Sequence, residues 1–300
     1  MSAAPELRNE RFAERTVRTA DGLSIRVRDY PAIEPATGLP VFCLHGLTRN
    51  SKDFELVAPR IAALGRRTLA WDTRGRGASD RDADPARYNP MVYAQDLIAA
   101  LDEMAVERAV FIGTSMGGLI TMTLAALAPQ RIAAAVLNDV GPVLDPAGLA
   151  RIGGYVGATG KVATWEEAAE RVRGVNAVAF PHADQDFWAR FARRVFRQNP
   201  DGSIELDYDP AISLAFKPTE DGAAPAPPDM KPIFQALAAA GPVLVVRGAV
   251  SDLLAPEGVL AMRALDEDLE SVEVPNVGHA PTLEEPAAWD AVLNFLARVP

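Results

Sequence analysis

"FIGTSMGGLITM", residues 111–122, sets a serine among glycines where an apolar run gives way to a helix-like one. Upstream, "RAVFIG" has the unbroken apolar character of a strand covered on both faces, and downstream "MGGLITMTLAALA" reads as a helix that stops before Pro129. Ser115 thus falls at a strand-to-helix turn, the context that a G-x-S-x-G pattern requires. Such a turn strains its central residue and tolerates only small neighbours, which Gly113, Gly117 and Gly118 supply. The strain projects the hydroxyl from the sheet edge, and the new helix aims its N-terminal amides at the same spot. Taken alone the pattern also suits a plain structural turn, so the rest of the chain has to decide.

Working outward, the same type of apolar run recurs in "PVFCLHG", "RTLAWD", "AAAVLNDV" and "PVLVVRG". Between these runs lie amphipathic helices with readable starts. Asn50 or Ser51 can cap the segment ending near Leu64, and Asn89-Pro90 puts a cap and a first-turn proline before "MVYAQDLIAALDEM". Alternation at this spacing predicts βαβ units, hence a parallel sheet with helices on both faces. "ERTVRTADGLSIRVRDY" differs: Ile25 and Val27 alternate with Arg26 and Arg28 around a turn at Asp21-Gly22, as in a half-exposed antiparallel hairpin. From 143 to 240 the alternation breaks into helix-like segments, a hairpin around "NPDGS" and the proline-rich "KPTEDGAAPAPPDMKP", which reads as a mobile lid or linker. The expected organisation is therefore a core of residues 1–142 and 241–300, with 143–240 inserted as a cap over one end of the sheet.

Bulk properties agree with one core and an insertion in 300 residues, of which 49% are hydrophobic and 23% charged. A net charge of −10 disfavours nucleic acid and anionic membrane as partners, since both reward clustered Lys and Arg. The N-terminal stretch has no apolar h-region and the longest apolar runs stop near about ten residues, too short for a bilayer. Cys43 is the sole cysteine, which excludes an intrachain disulfide, suits a reducing cytoplasm and fits a small buried hydrophobe.

A serine hydroxyl needs a base to become nucleophilic, and the chain has three histidines. His279, in "VPNVGHAPTLEEP", follows a last strand and precedes a final helix opening at Pro286, which puts it at the carboxyl edge where open α/β sheets collect their sites. His45 reads as a brace for the loop "HGLTRN", and His182 as a surface residue of the insertion. For the acid that orients His279, Asp252 in "RGAVSD" is preferred, with Asp139 in "VLNDVGP" as the alternative; both follow apolar strands. Two backbone amides are expected to bind an oxyanion: Met116, next to the nucleophile, and Leu47, in the loop after an early strand.

With "HGLTRN", "DTRGRGASD", "GTSMGG", "RGAVSD" and "GHAPTLEEP" in this order, the chain resembles the α/β-hydrolase superfamily over nearly its whole length. The resemblance implies an eight-stranded, mostly parallel sheet, a mainly helical cap after strand six, a Ser115–Asp252–His279 triad, Leu47 and Met116 as oxyanion donors, and no cofactor. Dehalogenase and epoxide-hydrolase relatives carry aspartate where this chain has Ser115, which argues against those activities. Thr114 before the serine and a loop less glycine-rich than is usual in meta-cleavage product hydrolases favour a carboxylesterase or lactonase acting on a small, fairly apolar substrate. Carbon–carbon hydrolysis on the same triad, or ligand binding with little turnover, is the alternative. Beyond the small-molecule ester or lactone, the partner allowed for is a second copy of the chain in a homodimer.

Arg49, beside the proposed oxyanion loop, is a candidate substrate contact. In "DFWARFARRVF", Phe187, Trp188 and Phe191 are candidates for a pocket wall or for plain core packing, with Arg190, Arg193, Arg194 and Arg197 read as a solvated face. Asp72, Arg74 and Asp80 in "DTRGRGASD" read as a hydrogen-bonded loop rather than ligand contacts.

Overall fold

In a computed structural model of the protein, which describes residues 12–216 and 229–300, eight strands share one sheet. The chain enters through an antiparallel hairpin, β1 (Ala13–Arg18) and β2 (Ser24–Tyr30), with Val17 opposite Ile25 and Gly22 turning at a φ of 90°. Strands and helices then alternate: β3 (Val41–Leu44), α1 (Val57–Ala62), β4 (Thr68–Trp71), α2 (Pro90–Glu103), β5 (Ala109–Thr114), α3 (Met116–Leu127) and β6 (Ile132–Asn138). An inserted stretch follows, with α4 (Pro146–Tyr155), α5 (Trp165–Asn176), α6 (Gln185–Val195) and the hairpin β7 (Phe196–Gln198) and β8 (Ile204–Leu206). The chain returns through α7 (Lys231–Ala240) to β9 (Val243–Gly248), α8 (Pro256–Arg263), β10 (Glu270–Val274) and α9 (Pro286–Leu296). The sheet order is β1-β2-β4-β3-β5-β6-β9-β10, antiparallel through β1, β2 and β4 and parallel elsewhere.

The apolar runs explain this sheet directly. Phe42, Leu44, Leu69, Phe111, Leu137 and Val245 point into one buried cluster. Their strand neighbours Val41, Cys43, Ala70, Ile112, Val136 and Val246 point into another on the opposite face. Strands with both faces covered carry mostly apolar side chains on each, with Thr68, Asn138 and Arg247 as buried exceptions, so no alternation is visible in sequence. Helix starts follow the capping chemistry: the Asn89 side chain accepts from the Val92 amide, that of Asn50 accepts from Lys52 ahead of a short 3₁₀ turn, and Pro256 and Pro286 occupy first-turn positions.

The insertion is tied to the core by polar contacts. Asn50 Nδ2 donates to the Arg194 carbonyl at 2.8 Å, and Lys52 Nζ reaches Asp207 at 2.9 Å. Arg194 is only 5% exposed and pairs with Glu55 and Glu284, so it is a tether from α6 to the core and not part of a solvated face. Arg190 and Arg193 are exposed, and Arg197 is partly exposed beside Glu205. The loop after β4 is the other attachment: Gly77 N–H donates to the Asp207 carbonyl and Asp209 N–H to the Gly75 carbonyl. Within that loop Asp72 accepts from Ser51 and Ala78 amides, Asp80 accepts from Ser24, and Arg74 pairs with Asp21, Asp82 and Asp96.

Helix α7 packs on α3 and β6, so residues up to 240 do not all sit over the sheet end; this last helix lies with the core. The proline-rich stretch read as a lid or linker falls, over 217–228, outside the described residues. No helix of the described residues is long and apolar enough to cross a membrane.

Candidate active site

Ser115 caps the N-terminus of α3 with φ 51° and ψ −113°, a region that costs a non-glycine residue strain. The turn persists because its surroundings leave no room for anything else. A methyl on Gly113 would lie 2.5 Å from the Gly117 carbonyl, and one on Gly117 would collide with the Leu44 carbonyl. Ser115 N–H is also held by the Asn138 carbonyl at 3.0 Å. The helix is thereby pressed against β3 and β5, with its amide end at the serine.

His279, in the loop between β10 and α9, lies with Nε2 2.9 Å from Ser115 Oγ and Nδ1 2.8 Å from Asp139 Oδ2. Asp139 follows β6 directly, has a φ of 56° and is 0% exposed. Its Oδ1 accepts from the Gly248 amide at 2.8 Å, and its Oδ2 also accepts from the Ser251 hydroxyl at 2.5 Å. A carboxylate can only accept here, which assigns the ring proton to Nδ1 and leaves the Nε2 lone pair facing the serine hydroxyl.

The preferred acid of the sequence reading, Asp252, is not at His279. It forms a two-point ion pair with Arg151 of α4. That guanidinium holds the Asp252 carboxyl below its usual range. The cause is geometric: Asp139 emerges from the end of β6, beside the His279 loop, whereas Asp252 sits four residues beyond β9 and turns toward the insertion. Ser251, its neighbour, is the residue that reaches Asp139.

The Met116 amide opens α3 and the Leu47 amide lies in the loop after β3; among the described residues neither has a hydrogen-bond acceptor. The Gly46–Leu47 peptide is fixed from behind, because the Gly46 carbonyl accepts from His45 Nδ1 at 2.7 Å and from the Arg49 amide at 3.1 Å. His45 Nε2 in turn accepts from the Thr73 amide at 3.0 Å. Complete burial pushes the His45 pKa down to about 4, so the ring is a neutral brace, one nitrogen donating and the other accepting.

Ser115, His279, Gly46 and Leu47 border a cleft of about 1130 Å³, counting its open mouth. The insertion supplies its far wall through Ile152, Val172, Phe180, Phe191 and Val195, with Tyr155, Arg171 and Tyr208 as polar points. Arg49 lines the cleft but is clamped to Asp53 at 2.5 Å and stacks 3.9 Å over the Phe191 ring. Of the three aromatics singled out in sequence, Phe191 reaches the cleft. Phe187 and Trp188 do not; they pack behind it, with ring centroids 4.9 Å and 6.2 Å from Phe180. Nothing local in the sequence marks Tyr155, Arg171, Phe180 and Tyr208, because the insertion lacks a period that says which side chains face inward. No group of three or more His, Cys, Asp or Glu side chains among the described residues is arranged to hold a metal ion.

Residues 40–286 match the family model of the alpha/beta hydrolase fold. The chain is 38% identical over 258 residues to a 3-hydroxybutyrate-oligomer hydrolase of Cupriavidus necator, covering 85% of this chain and 87% of that one. It is 27% identical over 299 residues, 99% of each chain, to a 2-(acetamidomethylene)succinate hydrolase of Mesorhizobium japonicum. A crystal structure of an alpha/beta hydrolase from Novosphingobium aromaticivorans superposes with a TM-score of 0.87 at 44% identity, covering 96% of this chain and 99% of the other. The chain, with its serine turn, its histidine loop and its eight-stranded sheet in this order, belongs to the alpha/beta hydrolase fold family.

Proposed function

We propose that the chain is a serine hydrolase that cleaves a small carboxylic ester or lactone through an acyl-enzyme. The observation that carries this reading is the continuous hydrogen-bond line from Ser115 Oγ through His279 to buried Asp139 at the base of a cleft. His279 Nε2 takes the hydroxyl proton as Ser115 Oγ attacks the carbonyl carbon, and the Asp139 carboxylate stabilises the resulting imidazolium. The amides of Leu47 and Met116 receive the oxyanion. The imidazolium returns its proton to the leaving alkoxide, and the neutral ring then activates the water that releases the acid from Ser115.

Within esters, similarity to a hydrolase named for 3-hydroxybutyrate oligomers favours a short oligoester of a hydroxy acid. A mostly apolar cleft with a few hydroxyl and guanidinium groups suits such a chain, which alternates short alkyl units with ester carbonyls. The test is hydrolysis of p-nitrophenyl esters of increasing acyl length and of a linear 3-hydroxybutyrate dimer, by wild type and by Ser115→Ala. Short acyl preference, dimer cleavage and loss of both in the variant are expected. Turnover confined to a ring-cleavage dienol diketone would replace the reading with carbon–carbon hydrolysis, and binding without turnover would remove it.

A further inference from the structure

Arg76 lies in the loop after β4 and is 1% exposed, yet all of its hydrogen-bond partners are neutral. Nε donates to the Leu47 carbonyl at 3.0 Å, Nη1 to the Arg74 carbonyl at 2.8 Å and the Tyr93 hydroxyl at 2.9 Å, and Nη2 meets Met116 Sδ at 3.5 Å. No carboxylate among the described residues forms an ion pair with it, in contrast to Arg74 two residues earlier, which has three. A buried guanidinium without a counter-ion is costly, and its cation–π contacts with Tyr88 and Tyr93 offset that cost only in part. Two of its four partners are Leu47 and Met116, the residues whose amides the serine-hydrolase reading assigns to the oxyanion.

We infer that Arg76 is a positioning residue of the oxyanion hole, a buried cation that holds the Leu47 peptide through its carbonyl, touches the Met116 side chain, and has its missing counter-charge supplied by the tetrahedral intermediate. The peptide planes on both sides of the Leu47 Cα are pinned: the Gly46 carbonyl by His45 and the Arg49 amide, the Leu47 carbonyl by Arg76. The Leu47 N–H is thus set before substrate arrives. In the resting enzyme the positive charge faces dipoles and the Tyr88 and Tyr93 rings, whose centroids lie 5.5 Å and 5.0 Å away, but no paired carboxylate among the described residues. When the carbonyl oxygen becomes an oxyanion against the Leu47 and Met116 amides, a full negative charge appears beside the two residues that Arg76 contacts, in a medium where charge interactions are weakly screened. The interaction is therefore stronger in the transition state than in the ground state, which raises kcat and leaves KM nearly unchanged. The inference rests on the serine-hydrolase reading.

The experiment compares wild type, Arg76→Met and Arg76→Lys on a p-nitrophenyl ester and measures inhibition by an alkyl trifluoromethyl ketone, whose adduct with a serine carries an oxyanion. Removing an oxyanion donor outright lowers kcat by about 100- to 1000-fold, so losing a residue that acts through the backbone of one donor should lower it by roughly 10- to 100-fold in Arg76→Met. KM should stay within about twofold, ketone affinity should fall by the same factor as kcat, and Arg76→Lys should recover part of both. A folded Arg76→Met with wild-type kcat, or one whose kcat falls while ketone affinity stays, overturns the inference. Should Arg76→Met not fold, Arg76→Lys decides: wild-type kcat and ketone affinity overturn the inference, and a parallel loss of both upholds it. An active wild type with an equally active Arg76→Met removes the inference alone, whereas a folded wild type inert toward every ester removes the underlying reading and the inference with it.

Discussion

Replacing Asp139 with asparagine keeps the side-chain volume and removes the property that the site uses, two oxygens that can only accept. In the native arrangement these oxygens receive three donors, from Gly248, Ser251 and His279. An asparagine that keeps its oxygen on the Gly248 amide turns its NH₂ toward His279, so Nδ1 must accept and the ring proton moves to Nε2. That nitrogen then faces Ser115 as a donor and cannot take its proton. The flipped amide restores the histidine tautomer but opposes the Gly248 N–H with a second donor, leaving a buried amide unsatisfied at a cost of about 1–3 kcal/mol. Histidine in the wrong tautomer lowers kcat by about 10⁴ in comparable triads, roughly 5 kcal/mol of barrier. The assay is p-nitrophenyl ester turnover by Asp139→Asn and Asp252→Asn, with folding checked by circular dichroism. Asp252 is partly exposed and paired with Arg151, so its replacement should change kcat by no more than about threefold, since exposed pairs contribute little. Equal losses in both variants, or a larger loss at Asp252, would refute the assignment.

Stability and anchoring give two further expectations. The His45 ring binds a proton in the unfolded chain below its ordinary value of 6.5 but not in the folded one until about 4, so stability rises with pH across this window and is lost as pH falls through it. By pH 4 the loss attributable to His45 is about 3 kcal/mol, seen as a shrinking stability gap between wild type and His45→Gln in urea unfolding; a gap constant from pH 7 to 4 would count against it. Arg194→Met removes the tether between α6 and the core and strands Glu55 and Glu284, partly exposed though they are. Unfolding free energy should drop by about 2 kcal/mol in denaturant titration, between the costs of breaking buried and exposed pairs, and an unchanged midpoint would show the tether to be idle.

How much of this could be read in advance varied with the physics of each part. The sheet was legible because strands covered on both faces write themselves as short apolar runs, and "PVFCLHG", "RAVFIGTS" and "PVLVVRG" lie at β3, β5 and β9. The serine turn was legible because close contact between α3 and the neighbouring strands demands glycine at 113 and 117. Chain order could not separate Asp139 from Asp252, since both lie between Ser115 and His279 and both follow strands. What separates them is where Arg151 of the insertion lands, a long-range fact. One local signal was present, the polar pair Asn138, which ends apolar β6, and Asp139, which follows it; both are fully buried in the fold, where polar groups need dedicated partners. Arg194 and Arg76 are hidden in the sequence for a related reason, since both are buried. An arginine among arginines, or in a loop, looks solvated unless its burial is known.

The central claim, that Ser115 is the nucleophile, is tested most directly by treating the protein with a p-nitrophenyl alkylphosphonate and locating the adduct by mass spectrometry. One equivalent of p-nitrophenol, one phosphonyl group on the peptide carrying Ser115, loss of esterase activity in step with labelling, and no reaction of Ser115→Ala are the expected results. Esterase activity that survives in Ser115→Ala, or inactivation with the phosphonyl group on another residue, would contradict the account.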